Sequence, residues 1–200
     1  WDKKIPPRAI ENLGTDFLFP EIKYKFHACC HGLHSFLEAL DEMKLENNFN
    51  PETIEEIAIE TNPSWLKVCN IEEPKTGLES KFSYKLTAAM SIYGKDTSDL
   101  DTYSDEICFD DNLNNIRDKV RVIPNDNLSN TQSLISIKDG SSNVKNKHDL
   151  SDKIENNILE TKIVNKSVSL LSETKSNQIS KILNAPNENK VDALVDCLVS

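Results

Sequence analysis

The sequence has no apolar run approaching the ~18 residues that a membrane-spanning helix requires, and no signal peptide is visible. No membrane partner is expected. The expected compartment is the cytoplasm, with the mitochondrial matrix as the alternative in a eukaryote. Basic charge is also scarce: 23 Lys and Arg stand against 33 Asp and Glu, a net charge of −10. A general nucleic-acid binder shows a basic face to phosphates, so nucleic acid is not an expected partner. There is no glycine-rich phosphate loop, dinucleotide-binding fingerprint or Walker motif. Cysteines are few and irregularly spaced: Cys29, Cys30, Cys69, Cys108 and Cys197 make an odd count. That argues against a disulfide framework and for a reducing compartment. Aromatics reach only 6%, and none follows Phe109. The last third, rich in Asn, Lys and Ser, cannot build a core alone and should pack on something else. The chain begins at Trp1 without Met, as a fragment or trimmed chain would.

Ordered segments are legible between these gaps. Pro6, Pro7, Gly14 and Pro20 break up residues 1–27. Leu33, Phe36, Leu37 and Leu40 then recur at helical spacing, with Glu38, Asp41, Glu42 and Lys44 facing the other way, which predicts a helix over 30–45. Residues 53–61 alternate as a strand does, and 62–78 read as a loop. A second helix is predicted over 80–93, with Phe82, Leu86, Ala89, Met90 and Tyr93 as its stripe and Gly94 as its stop. A short helix over 111–118, strands over 120–123 and 131–139, and a turn from Gly140 into 143–148 follow, the last as in a hairpin. From Ser151 the pattern is loosely helical, ending in a helix over 188–199. The expected fold is α+β: a small antiparallel sheet of three or four strands packed with two main helices, followed by a helical tail.

The densest chemistry lies in KFHACCHGLHSFLEAL, residues 25–40. It holds three of the four histidines and two of the five cysteines, with Lys23 and Tyr24 just upstream. This basic, titratable island sits where a helix is expected to start. Lysine and histidine there suit a small carboxylate-bearing ligand, and histidine exchanges protons near neutral pH. The bland readings stand beside it. Cysteines are most often small buried hydrophobes, and any one histidine can be a satisfied structural residue. Zinc is the other chemical reading, but adjacent Cys29 and Cys30 point apart and no second paired-ligand motif occurs.

Three segments carry a resemblance. KFHACCHGLHSFLEAL, preceded by ENLGTDFLFPEIKYK (residues 11–25), resembles the opening of the C-terminal lid domain of MmgE/PrpD proteins. EPKTGLESKFSYKLTAAMSIYG (residues 73–94) resembles a second segment of that family, the start of an Ala-rich helix ending in Gly. KVRVIPNDN and SLISIKDG resemble the family's two late strands and their Asp-Gly turn. Order and spacing agree over about residues 8–140. The resemblance implies a lid domain over 1–148 and a tail over 149–200 that returns to a large helical domain, which this sequence does not show.

The family includes 2-methylcitrate dehydratase and cis-aconitate decarboxylase. The implied chemistry is loss of a proton next to a carboxylate, with loss of water or carbon dioxide from a small di- or tricarboxylate, without metal or other cofactor. Lys25 matches the active-site lysine. Cys30 falls where some members carry a catalytic histidine, a departure that adjacent His31 would make good. His34 matches the helix histidine. Lys81 is the next substrate-facing residue, and Leu86 stands where several members have tyrosine, with Tyr84 nearby. The expected partners are the carboxylate substrate and either a separate helical domain or a second copy. A chain with one side of a cleft should be a poor catalyst alone. The rival readings are a non-catalytic interaction module and a small Cys/His metal-binding protein.

Overall fold

A computed structural model describes residues 12–17, 22–140, 142–186 and 190–199. Pro6, Pro7, Pro20 and part of the 11–25 segment lie outside the described residues. The chain folds as α+β around the helix α1, His34–Glu46. The apolar stripe read from the sequence is buried here: Leu33, Phe36, Leu37 and Leu40 have no exposed surface. Glu38, expected on the solvent face, is buried as well, at 5% exposure, because it has charged partners described below.

Strands β1 (Ile54–Thr61), β2 (Val120–Pro124), β3 (Gln132–Asp139) and β4 (Ser142–Asp149) form a four-stranded sheet in the order β2-β1-β3-β4. The sheet is mixed, which corrects the expectation of an antiparallel one: β1 runs antiparallel to β3, and β3 to β4, but β1 and β2 are parallel. The physical reason is the connection. Parallel neighbours need a crossover, and residues 62–119 supply one holding α2 (Pro63–Leu66), α3 (Gly77–Ser80), α4 (Tyr84–Ile92) and α5 (Asp111–Arg117). Ile57, Ile59, Ile135 and Ile137 turn one sheet face into the core, where α1 packs across β3 and β4.

The helix expected over 80–93 is broken at Lys81–Ser83, where the Ser83 side chain accepts from the Leu86 N–H and caps α4. The nine-residue α4 is buried nearly all round rather than along a stripe, as a helix enclosed by other elements must be. The tail forms α6 (Asn156–Leu171), α7 (Glu173–Asn184) and α8 (Lys190–Val199), which pack chiefly on one another. Ile158, Val164, Leu170, Leu183, Val195 and Leu198 remain exposed along them. Among the described residues, no helix is long and apolar enough to cross a membrane.

Gly77 opens α3 where no other residue fits. Its N–H donates to Asp105 Oδ1 at 2.7 Å, and a Cβ would stand 2.1 Å from the Tyr103 carbonyl oxygen. That oxygen is backbone and cannot swing aside. Gly77→Ala should lower the unfolding free energy by roughly 1–3 kcal/mol, read as a fall in the urea midpoint at unchanged slope. A midpoint equal to the parent's would show that the crossover yields without cost.

Candidate active site

The segment before α1 passes through a single 3-10 turn, His31–Leu33. Its position is set by backbone contacts to distant loops. The Ala28 N–H donates to Thr97 O at 2.8 Å, and the Cys30 N–H to Lys81 O at 2.9 Å. The Tyr84 hydroxyl donates to Gly32 O at 2.8 Å and lies 3.1 Å from Thr61 Oγ1. Gly32 is pressed against Trp65 and Cys69, leaving 2.5 Å between a would-be Cβ and Trp65 Cε3. Ser35 Oγ donates to His148 O at 2.8 Å, fastening the first turn of α1 to the end of β4.

This turn gathers His27, His31 and His34. The His34 ring centroid lies 5.2 Å from that of His27 and 5.2 Å from that of His31. His27 Nδ1 is 2.7 Å from Thr97 Oγ1. Its Nε2 is 3.4 Å from Glu38 Oε1, within ion-pair reach but off the line of a hydrogen bond. The buried His31 Nδ1 and His34 Nε2 have no hydrogen-bond partner among the described residues. Leaving a buried polar atom unsatisfied typically costs about 1–3 kcal/mol, so these atoms, and His27 Nε2 with them, call for a partner from outside the described residues.

Electrostatics follow from the surroundings. Burial, then the charges of His27, His31 and Lys25, push His34 down to about 3 against the pull of the Cys29 backbone. Burial lowers His31 too, with Lys25 and Lys23 adding to it. Both rings are therefore neutral near pH 7. Burial alone would raise Glu38, but His27 and Lys162 outweigh it and hold the carboxyl at about 2. Lys162 Nζ donates to Glu38 Oε2 and sits 5.1 Å from the Phe26 ring centroid. Glu38 follows His34 by four residues, so both lie on one face of α1.

That face lines a cleft of about 670 Å³ between the 22–34 segment, α1, the end of β4 and the start of α6. Lys23, Phe26, His31, His34, Glu38 and Lys162 are on its wall. His148 Nδ1 and Glu42 Oε1, 2.8 Å apart, stand beside them.

Of the residues singled out in the sequence, His31 and His34 line this cleft. Lys25 is exposed and off its wall, although its charge acts on both rings. Cys30 is half-buried against Cys69, whose thiol burial pushes up to about 12. Lys81 supplies the carbonyl that fixes Cys30, and its ammonium lies 5.5 Å from the Tyr103 centroid. Tyr84 is fully buried beneath Gly32, its ring 5.3 Å from Phe36. Sequence reasoning did not single out His27, Glu38, Thr97 or Lys162. His27 and Glu38 lay inside the cluster already noted, whereas Lys162 is 124 residues from Glu38 and nothing local marks it. Among the described residues, no group of three or more His, Cys, Asp and Glu is arranged to hold a metal ion.

Fold and cleft together define an α+β domain that presents neutral imidazoles and ammonium groups on one wall of a ligand-sized cleft. The family model of the MmgE/PrpD C-terminal domain matches residues 27–185. The chain belongs to the MmgE/PrpD family. A comparison with curated proteins finds no match.

Acid should dismantle the site in two steps. The folded values of Glu38 and His34 are both depressed. Stability from neutral His34 is therefore present above about pH 6.5, the unfolded value, and is lost as pH falls toward about 3. Stability from ionised Glu38 is present above its ordinary value of 4.5 and is lost as pH falls through about 2. Glu38→Gln should be less stable than the parent at pH 7 by on the order of 2–3 kcal/mol, and the gap should close between pH 4.5 and 2. Urea unfolding at pH 7, 4 and 2.5 measures this; a gap constant with pH would contradict the ionised, doubly partnered carboxylate.

Proposed function

We propose that the chain supplies the lid side of a lyase active site of dehydratase type, acting on a small di- or tricarboxylate such as 2-methylcitrate or cis-aconitate. The observation that carries this reading is the cleft. Two neutral histidines with unpartnered buried nitrogens, both within the family-matched residues 27–185, stand on the same wall as lysine ammonium groups. Ammonium groups hold carboxylates by charge-assisted hydrogen bonds. A neutral imidazole in a dry site can take the proton from the carbon next to a carboxylate and return it to a leaving hydroxyl.

In this reading Lys25 and Lys23 draw the substrate in, and Lys25 turns toward a bound carboxylate. His31 moves the proton, since His34, held down to about 3, is a weak base for that step, and Cys30 holds the turn. Lys81 and Tyr84 shape the site from behind by fixing Cys30 and Gly32. The division into a lid over 1–148 and a helical return over 149–200 belongs to the same proposal. The exposed apolar side chains of α6–α8 support it, since such surface usually serves an interface. The opposite side of the cleft would come from a helical domain, in the same protein, a separate one or a second copy.

The test is turnover of 2-methylcitrate and cis-aconitate by protein that contains the helical domain. Lys25→Ala should lower kcat/KM by roughly 100- to 1000-fold, by analogy with removing one oxyanion-hole donor. His31→Ala should slow the reaction more than Cys30→Ala. Unchanged turnover in Lys25→Ala would remove that residue from the site. A larger loss in Cys30→Ala would make the thiol the proton carrier.

A further inference from the structure

We propose that Lys162, presented by α6, is a carboxylate-binding residue of this cleft, held in position by Glu38. The proposal rests on the carboxylate reading above and adds to it a residue from the C-terminal helices.

The ammonium of Lys162 carries three N–H donors. Among the described residues it makes one hydrogen bond, to Glu38 Oε2. Phe26 covers a second side, with its centroid 5.1 Å away. The side chain is still 31% exposed and lines the cleft, so a donor remains for a ligand there. Glu38 delivers this charge to a particular place. It lies one helical turn from His34, and Lys162, His31 and His34 line the same cleft, so an ammonium and neutral imidazoles share its wall. A lyase that removes a proton beside a carboxylate needs that pairing: a fixed cation for the carboxylate and a base for the neighbouring C–H.

The ion pair with Glu38, which also faces His27 at 3.4 Å, uses one of the three ammonium donors. The helix α6 is tied down elsewhere, because Lys166 Nζ donates to Ser98 O at 2.7 Å and Ser169 Oγ to the same oxygen at 3.4 Å. Lys25, by contrast, is exposed and off the cleft wall.

The test is calorimetric titration of the full chain with citrate, after circular dichroism melts establish that each variant folds. Lys162→Met alone would strand a buried carboxylate, so the comparison is made in a Glu38→Gln background. There, adding Lys162→Met should weaken citrate binding roughly 10- to 100-fold, the effect of one hydrogen bond to a charged group, and Lys162→Arg should restore most of it. Equal affinity with and without Lys162, while the parent binds citrate, overturns the assignment of Lys162 alone. A parent that binds neither citrate nor cis-aconitate, with the helical domain supplied, overturns the carboxylate reading and Lys162 with it. Should the Glu38→Gln proteins not fold, the ¹⁵Nζ signal of Lys162 in the parent decides: it should shift on adding citrate, and an unmoved signal overturns the proposal.

Discussion

One buried carboxylate organises the cleft side of this protein. An ionised glutamate taken out of water must be met by opposite charge and by hydrogen-bond donors, or it protonates. Glu38 accepts from Lys162 on one oxygen, and His27 Nε2 stands 3.4 Å from the other. The partners belong to parts of the chain with no sequence neighbourhood in common. His27 is in turn fixed by Thr97, from the loop after α4. One side chain therefore positions the pre-helix segment, α1, the 95–98 loop and α6 relative to each other. Removing either partner alone would leave an uncompensated charge, a far larger cost than the net value of the pair.

The packing around the 3-10 turn provides the rigidity that such a network needs. Tyr84 from α4 reaches under the turn to bind Gly32 O, while Trp65 and Cys69 close over Gly32 from the crossover. These residues come from the long connection that makes β1 and β2 parallel. The crossover is thus both the reason for the mixed sheet and the scaffold beneath the histidines. Tyr84 and Lys81 contribute to the candidate site through the backbone groups they hold. That is a weaker link to function than a side chain on the cleft wall, but it fixes where His31 and His34 can point.

What could be read from the sequence divides along local and non-local lines. The core stripe of α1, the strand at 54–61 and the concentration of chemistry at 25–34 are local patterns of periodicity and composition, and they were legible. The facing of Glu38 was not, because periodicity assigns a charged residue to solvent unless its partners are known, and Lys162 lies 124 residues away. Strand β4 has the composition of a turn: only Val144 packs against the core, and the rest are polar. An exposed edge strand commonly reads this way, since polar and charged residues discourage pairing with other chains. The parallel pairing of β2 was hidden for the same reason as Lys162: strand partners chosen across 60 residues leave no mark on either segment alone. The family resemblance bridged part of this gap: of the residues it pointed to, His31 and His34 line the cleft, whereas Lys25 and Cys30 lie off its wall.

The charges around the histidines also resolve an apparent conflict. A cleft suited to anions should be positive, yet an imidazole that is to accept a proton must be neutral. Here the same cations serve both ends. Lys25 adds to burial in holding both His31 and His34 below their ordinary values, and Lys23 adds to it at His31, so the rings stay unprotonated near neutral pH while the lysines keep the local field attractive to carboxylates. Glu38 would undo this if it faced the histidines alone, since a bare carboxylate raises a neighbouring imidazole's affinity for protons. Its second oxygen is committed to Lys162, and Glu38 is not among the groups that set the values of His31 and His34. In the proposed reading, the pairing keeps proton-accepting and anion-holding groups on one wall without either cancelling the other. In a chain whose overall charge is −10, that local arrangement, and not the net balance, determines what the cleft can hold.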